Sequence, residues 1–164
     1  MKTKIFRITN DYLKYGFAFI FLALITFFIF CLPACTPSAP KIQMHFHTSD
    51  SMNPDINGKA SPVVLNVYEL RNQNKFNDAD FSTLEDASRF LGHQLVDQNS
   101  MELLPGAHRS QILKIAPGTH YIGFTAGFRA LEQSTWKKTI PVPSESSRLL
   151  ITVSANAISI KTLD

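Results

Sequence analysis

Pro62-Val63-Val64-Leu65-Asn66-Val67-Tyr68-Glu69-Leu70 is the stretch on which the fold class turns. A valine-rich run of eight residues entered through a proline reads as a β-strand. Upstream, Ile42, Met44 and Phe46 alternate with Gln43, His45 and His47, the period of two expected of a half-buried strand. Downstream, Leu104-Pro105-Gly106 is a turn, and Gln111 to Ile115 is a strand closed by Pro117-Gly118. Thr119 to Arg129 follows, with Gly123 and Gly127 expected at bulges. Thr135 to Val142 is left through Pro141, Pro143 and Ser144. Arg148 to Ser154 and Ala157 to Leu163, joined by Ala155-Asn156, complete seven strands.

Between Asn72 and Ser100 the period changes. Phe76, Phe81, Leu84, Phe90, Leu91 and Leu95 recur at roughly helical spacing. Asn77 and Ser82 are candidate N-caps, and Ser82 with Glu85 has capping-box spacing. Asp78 and Asp80 suit a helix start, where acids complement the dipole, and Gly92 ends or kinks the segment. One or two short helices packed against the sheet are expected. Seven strands with one helical insertion favour a mainly β fold, a β-sandwich.

Ahead of this domain stands a different kind of sequence. Lys2, Lys4, Arg7 and Lys14, against Asp11 alone, precede an uncharged run from Gly16 to Phe30. Leu32-Pro33-Ala34-Cys35 follows. A basic start, an apolar stretch, a small residue and a cysteine outline a bacterial lipoprotein signal peptide. The 19 residues from Gly16 to Ala34 would also span a bilayer, so an uncleaved anchor is the competing reading, and secretion without lipid a third. The small residue and cysteine at the exit favour the lipoprotein. The expected organisation is a signal peptide over 1–34, a lipidated Pro/Ser tether over 35–40 and a sandwich domain over 41–164. Cys35 would carry a diacylglyceryl group on its thiol and an N-acyl chain on its amine. Two or more chains are what stable anchoring needs. The basic cluster stays cytoplasmic, so the domain is translocated. Thr36 stands where an Asp would retain an enterobacterial lipoprotein in the inner membrane, which favours the outer membrane.

Without residues 1–34 the chain holds twelve basic and twelve acidic residues, and no basic stripe of the kind nucleic acid requires. The two cysteines are Cys31 and Cys35, so the domain has no disulfide or thiol site of its own. His45 and His47 share a strand face, but the sequence names no third ligand, and two solvent-facing polar residues is the simpler reading. His93, His108 and His120 are scattered. No nucleophile elbow, phosphate loop, HExxH or dinucleotide fingerprint occurs. No enzyme activity, metal or cofactor beyond the lipid is expected.

The informative feature is the segment from Ser49 to Ser61. It is long for a strand connection, most of which run about 4–6 residues. A solvated connection between two strands is the simpler reading; against it, Asn53-Pro54 and Asn57-Gly58 favour particular turn geometries and so a shaped loop, and loops held by a rigid sandwich commonly carry binding.

These residues resemble a known family. Asn53-Pro54-Asp55, Gly58, Ser61-Pro62-Val63-Val64 and Tyr68-Glu69-Leu70 are similar to the stretch after the first strand in the TssJ (VasD/SciN-like) lipoproteins of type VI secretion. Leu104-Pro105-Gly106, the run from Tyr121 to Arg129 and the Trp136 strand resemble that family too, in its order. At Lys137 the sequence departs, since arginine more often follows the tryptophan. The resemblance implies a seven- to eight-stranded transthyretin-like or Ig-like sandwich, anchored on the periplasmic face of the outer membrane. It implies a partner, the periplasmic C-terminal region of an inner-membrane TssM/IcmF-like protein. It places the contact on Ser51, Met52, Asn53, Pro54, Asp55, Ile56, Asn57, Gly58 and Lys59. The alternative is a periplasmic lipoprotein whose sandwich binds a small ligand or glycan in a concave apolar pocket.

Overall fold

The computed structural model describes residues 40–163 together with Phe21. The expected signal peptide, Cys31 and the lipidation site Cys35 lie outside the described residues. Among the described residues no helix is long and apolar enough to cross a membrane.

Eight strands form the domain: β1 (Lys41–Thr48), β2 (Val63–Leu70), β3 (Leu95–Leu103), β4 (His108–Lys114), β5 (Tyr121–Ala126), β6 (Lys137–Pro141), β7 (Ser147–Val153) and β8 (Ile158–Leu163). Two short helices, α1 (Asn74–Asp78) and α2 (Ala87–Leu91), lie between β2 and β3. The strands make two four-stranded sheets, in the orders β4-β1-β7-β8 and β3-β2-β5-β6. Every pairing is antiparallel except β1 with β7. The core lies between the sheets, and the β1 alternation read from the sequence is the reason: Ile42, Met44 and Phe46 are buried while Gln43 and His47 are exposed. Leu65, Val67, Phe124, Leu149 and Ile151 face them from the neighbouring strands. At the far end of β2 the buried carboxylate of Glu69 accepts hydrogen bonds from the Ala116 N–H and the Thr119 hydroxyl, both at 2.8 Å. These bonds fix the β4–β5 connection to the sheet.

Several expectations fail. The helical reading stops at Gln94, not Ser100, because Leu95–Leu103 is β3, paired along the whole of β2. Leu95 follows Leu91 at helical spacing, and Asp97-Gln98-Asn99-Ser100 shows no apolar alternation because it is the exposed part of an edge strand. Neither Asn77 nor Ser82 is an N-cap. Asn77 lies inside α1 and accepts from the Thr139 hydroxyl, while Asp86 caps α2 by accepting from the Arg89 N–H. Gly123 is not at a bulge, since its register with Tyr68 and Thr139 is unbroken. The register shift lies instead at Glu69/Leu70, opposite Asp97 and Leu95, which leaves Val96 as the extra residue.

Gly123 serves packing. It faces outward beside Tyr68, and a Cβ there would lie 2.7 Å from the Phe76 ring. The missing side chain lets α1 lay Phe76 on the sheet, 5.1 Å from the Tyr68 ring centre. Around this contact Leu70, Ala79, Leu84, Ala87 and Leu91 build a second, smaller core on the outside of β2 and β5. Lys137 fastens it from β6. Its ammonium donates to the carbonyls of Phe76, Asn77 and Ala79, at 3.0, 2.6 and 2.7 Å, and so caps the C-terminal end of α1. Burial lowers the Lys137 pKa, and the Asp80 and Asp78 carboxylates offset part of that. Those two acids therefore answer a lysine from a distant strand, and Asp78 closes α1 where the sequence placed it at a helix start.

Candidate functional site

The connections β1–β2, β3–β4, β5–β6 and β7–β8 gather at one end of the sandwich, and the long 49–62 loop dominates it. Its base is tied to the fold. The Thr48 hydroxyl donates to the Leu104 carbonyl at 2.6 Å and accepts from the Ala107 N–H at 2.7 Å. Met52 is fully buried and joins the main core.

Asn53 is the clip. Its φ of 48° is a left-handed conformation that asparagine tolerates better than most residues. Its N–H donates to the Ala155 carbonyl at 2.9 Å, its side-chain amide donates to the Pro62 carbonyl at 2.9 Å, and its side-chain oxygen accepts from the Arg129 N–H at 2.8 Å. Three connections are thereby joined at one residue. Beyond the clip, Asp55 organises the tip. Its carboxylate accepts from the N–H groups of Asn57 and Lys59, both at 2.9 Å, while its own N–H donates to the Lys59 carbonyl. Gly58, at φ 76°, closes the turn. The tip so held presents Ile56 at 99% exposure.

The nine residues that the resemblance assigns to contact thus divide. Ser51, Pro54, Ile56, Asn57, Gly58 and Lys59 are exposed and Asp55 is half-buried. Met52 and Asn53 are buried, which makes them supports for the loop. Sequence reasoning missed the surroundings. A cleft of 210 Å³ beside Asn53 and Pro54 is walled by Phe128, Gln133, Ala155 and Asn156. Those residues come from connections far away in the chain, so no local signal links them to the loop.

The other candidates stand apart. His45 and His47 both point outward from β1. His45 Nδ1 is 2.9 Å from the Ser110 hydroxyl, and the His47 and His108 rings meet edge-on at 4.4 Å. Among the described residues no three metal-ligating side chains converge.

Residues 40–160 match the family described as type VI secretion lipoprotein, VasD, EvfM, TssJ. The crystal structure of the lipoprotein TssJ1 from Pseudomonas aeruginosa is 33% identical. The match covers 77% of this chain and 98% of that one, with a TM-score of 0.75. Lip from Serratia marcescens, a membrane-bound component of the type VI secretion system, is 25% identical over 77% of this chain and 99% of that one, with a TM-score of 0.70. The solved structure of the TssM C-terminal domain from EAEC contributes a chain of the same fold at 19% identity, 75% and 98% coverage and a TM-score of 0.61. No curated protein matches the chain.

Proposed function

This chain belongs to the type VI secretion lipoprotein (TssJ) family, and from that premise we propose that it is a lipid-anchored adaptor of the secretion membrane complex. Cys35 carries the diacylglyceryl and N-acyl chains, residues 35–40 are the tether, and the anchor sits in the outer membrane with the domain in the periplasm. The domain binds the periplasmic C-terminal region of a TssM/IcmF-like inner-membrane protein and so ties the two membranes. Its work is binding rather than catalysis.

The observation that carries the reading is the pre-shaped loop. Ile56 is an apolar side chain held fully in solvent by a turn that Asp55 staples and Asn53 clips. A side chain with no packing role in the free domain, on a backbone already ordered, loses little entropy when a partner covers it. Ser51, Asn57 and Lys59 supply exposed polar side chains on the same loop, with Pro54 and Gly58 exposed between them. The fold shared with a chain in the TssM C-terminal domain structure supports the choice of partner.

Two experiments test this. Cys35→Ser should abolish palmitate incorporation; label entering the variant as it enters the wild type would sink the anchor. Ile56→Asp should weaken binding of the partner's periplasmic region by about 30-fold, the equivalent of about 2 kcal/mol for a central apolar side chain. The melting temperature should stay put, because Ile56 packs against nothing. Unchanged affinity in a folded variant moves the interface off this loop, most plausibly onto the helical insertion.

A further inference from the structure

We propose that the outer face of the β4-β1-β7-β8 sheet seats the domain on an anionic phospholipid surface, at the end where the chain arrives from Cys35. The inference rests on the lipid-anchor reading above.

The first observation is the charge on that face. The register turns Lys41, Gln43, His45 and His47 of β1 outward, with Lys114, Ile112, Ser110 and His108 of β4 beside them. Arg148 and Lys161 join from β7 and β8. The charged residues that the register puts on this face are therefore four cations, in a domain whose basic and acidic residues are equal in number. In the chain, Glu145 stands three residues before Arg148 and Asp164 three after Lys161, and Arg148 has a partner of its own. Lys41, Lys114 and Lys161 remain the cations on which the proposal stands.

The second observation is a pairing. Lys41 lies directly opposite Lys114 across the β1–β4 ladder. Like charges in that position repel, and an anion lying over the sheet removes the repulsion. The third is the company these lysines keep. An open groove of 630 Å³ at this end is bordered by Lys41, Ile112, Pro143, Arg148 and Leu163, and Ile112 is 60% exposed. Cations interleaved with exposed aliphatic groups are the chemistry of a surface that rests on headgroups.

Chain length completes the argument. Lys41 is the sixth residue after Cys35, and six residues span at most about 22 Å. A lipidated Cys35 therefore keeps this end within reach of the headgroups, where screening at physiological salt extends over about 8 Å. β1 then leads from this end to the Ile56 loop at the opposite end of the domain.

The test uses the processed lipoprotein reconstituted in nanodiscs of phosphatidylcholine alone or with phosphatidylglycerol. A spin label at Gln43→Cys reports on the basic face, and one at Ile56→Cys on the loop. The Gln43 label should lose accessibility to a water-soluble relaxation agent severalfold in the anionic discs only, while the loop label stays accessible in both. The shielding should vanish in about 1 M salt, where the screening length is ~3 Å. It should also vanish in Lys41→Gln/Lys114→Gln/Lys161→Gln, whose three substitutions are at exposed positions. Equal accessibility, or equal shielding, in the two lipids overturns the proposal and leaves the anchor intact. Failure to enter either disc overturns the anchor and this inference with it.

Discussion

The two sheets turn different faces to the outside. On β3-β2-β5-β6 the outward Tyr68 and Leu70 are completely buried, because α1, α2 and the turns around them lie over them. On β4-β1-β7-β8 the outward Ile112 stays exposed and Leu150 is only half-buried. The charges divide the same way. The insertion from Asn74 to Leu91 carries Asp78, Asp80, Glu85 and Asp86 against Lys75 and Arg89, while the bare face carries Lys41, Lys114, Arg148 and Lys161. With Lys137 added from β6 the covered side is nearly balanced, so the excess of cations lies on the bare face, which the overall composition conceals. The contrast also shows how a sandwich acquires a second core. One glycine on the outside of one strand gives an aromatic ring a place to land.

Removing that ring should break the contrast most sharply. Phe76→Ala leaves a cavity between α1 and Gly123 and should cost about 3–5 kcal/mol in urea unfolding. Amide exchange should rise first in the insertion and least in β1 and β7; a uniform rise would mean that the two faces are not separate units. Lys137→Met comes next. It deletes three bonds to the end of α1 and should cost about 1–3 kcal/mol, with Lys137→Arg recovering only part because a planar guanidinium does not converge on three carbonyls as an ammonium does.

A pH series probes the covered face more gently. Burial raises the Tyr68 pKa, opposed by its hydrogen bond to Thr125. The folded phenol therefore holds its proton where the unfolded chain has lost it. That contribution to stability is complete below pH about 10 and declines as pH rises through the folded pKa. Tyr68→Phe should flatten the alkaline decline in unfolding free energy, and an unchanged slope would deny the burial its role. The smallest effect belongs to the bare face, where Ile112→Thr should stay within about 0.5 kcal/mol of the wild type. A larger loss would show that the exposed isoleucine already packs on something.

The sequence made much of this legible. The β1 alternation, the valines of β2 and the turns around β7 and β8 are local patterns, and local patterns survive into the fold. The β3 strand was hidden because its middle, Asp97 to Ser100, is wet on both sides and has no period to read. The insertion's fastening was hidden for another reason: Lys137 reaches α1 across 58–61 positions of sequence. In the loop, the turn residues disclosed a shaped segment. They did not disclose that Met52 and Asn53 point inward, because their partners Pro62, Ala155 and Arg129 meet them only once both sheets are assembled.

β1 has two neighbours, seven residue pairs with β4 on one side and seven with β7 on the other. Its first residue follows the proposed tether, and its last leads into the loop that holds Ile56. With Cys35 as the proposed anchor and the Ile56 loop as the proposed contact, tension between the two membranes enters at Lys41 and leaves just past Thr48, along the axis of this strand. Both hydrogen-bond ladders are then strained in shear, with their bonds loaded together instead of opened one after another as in a zipper. The same strand that addresses the domain at both ends thus makes it a stiff mechanical link, and its resistance comes from the middle of a sheet rather than from an edge.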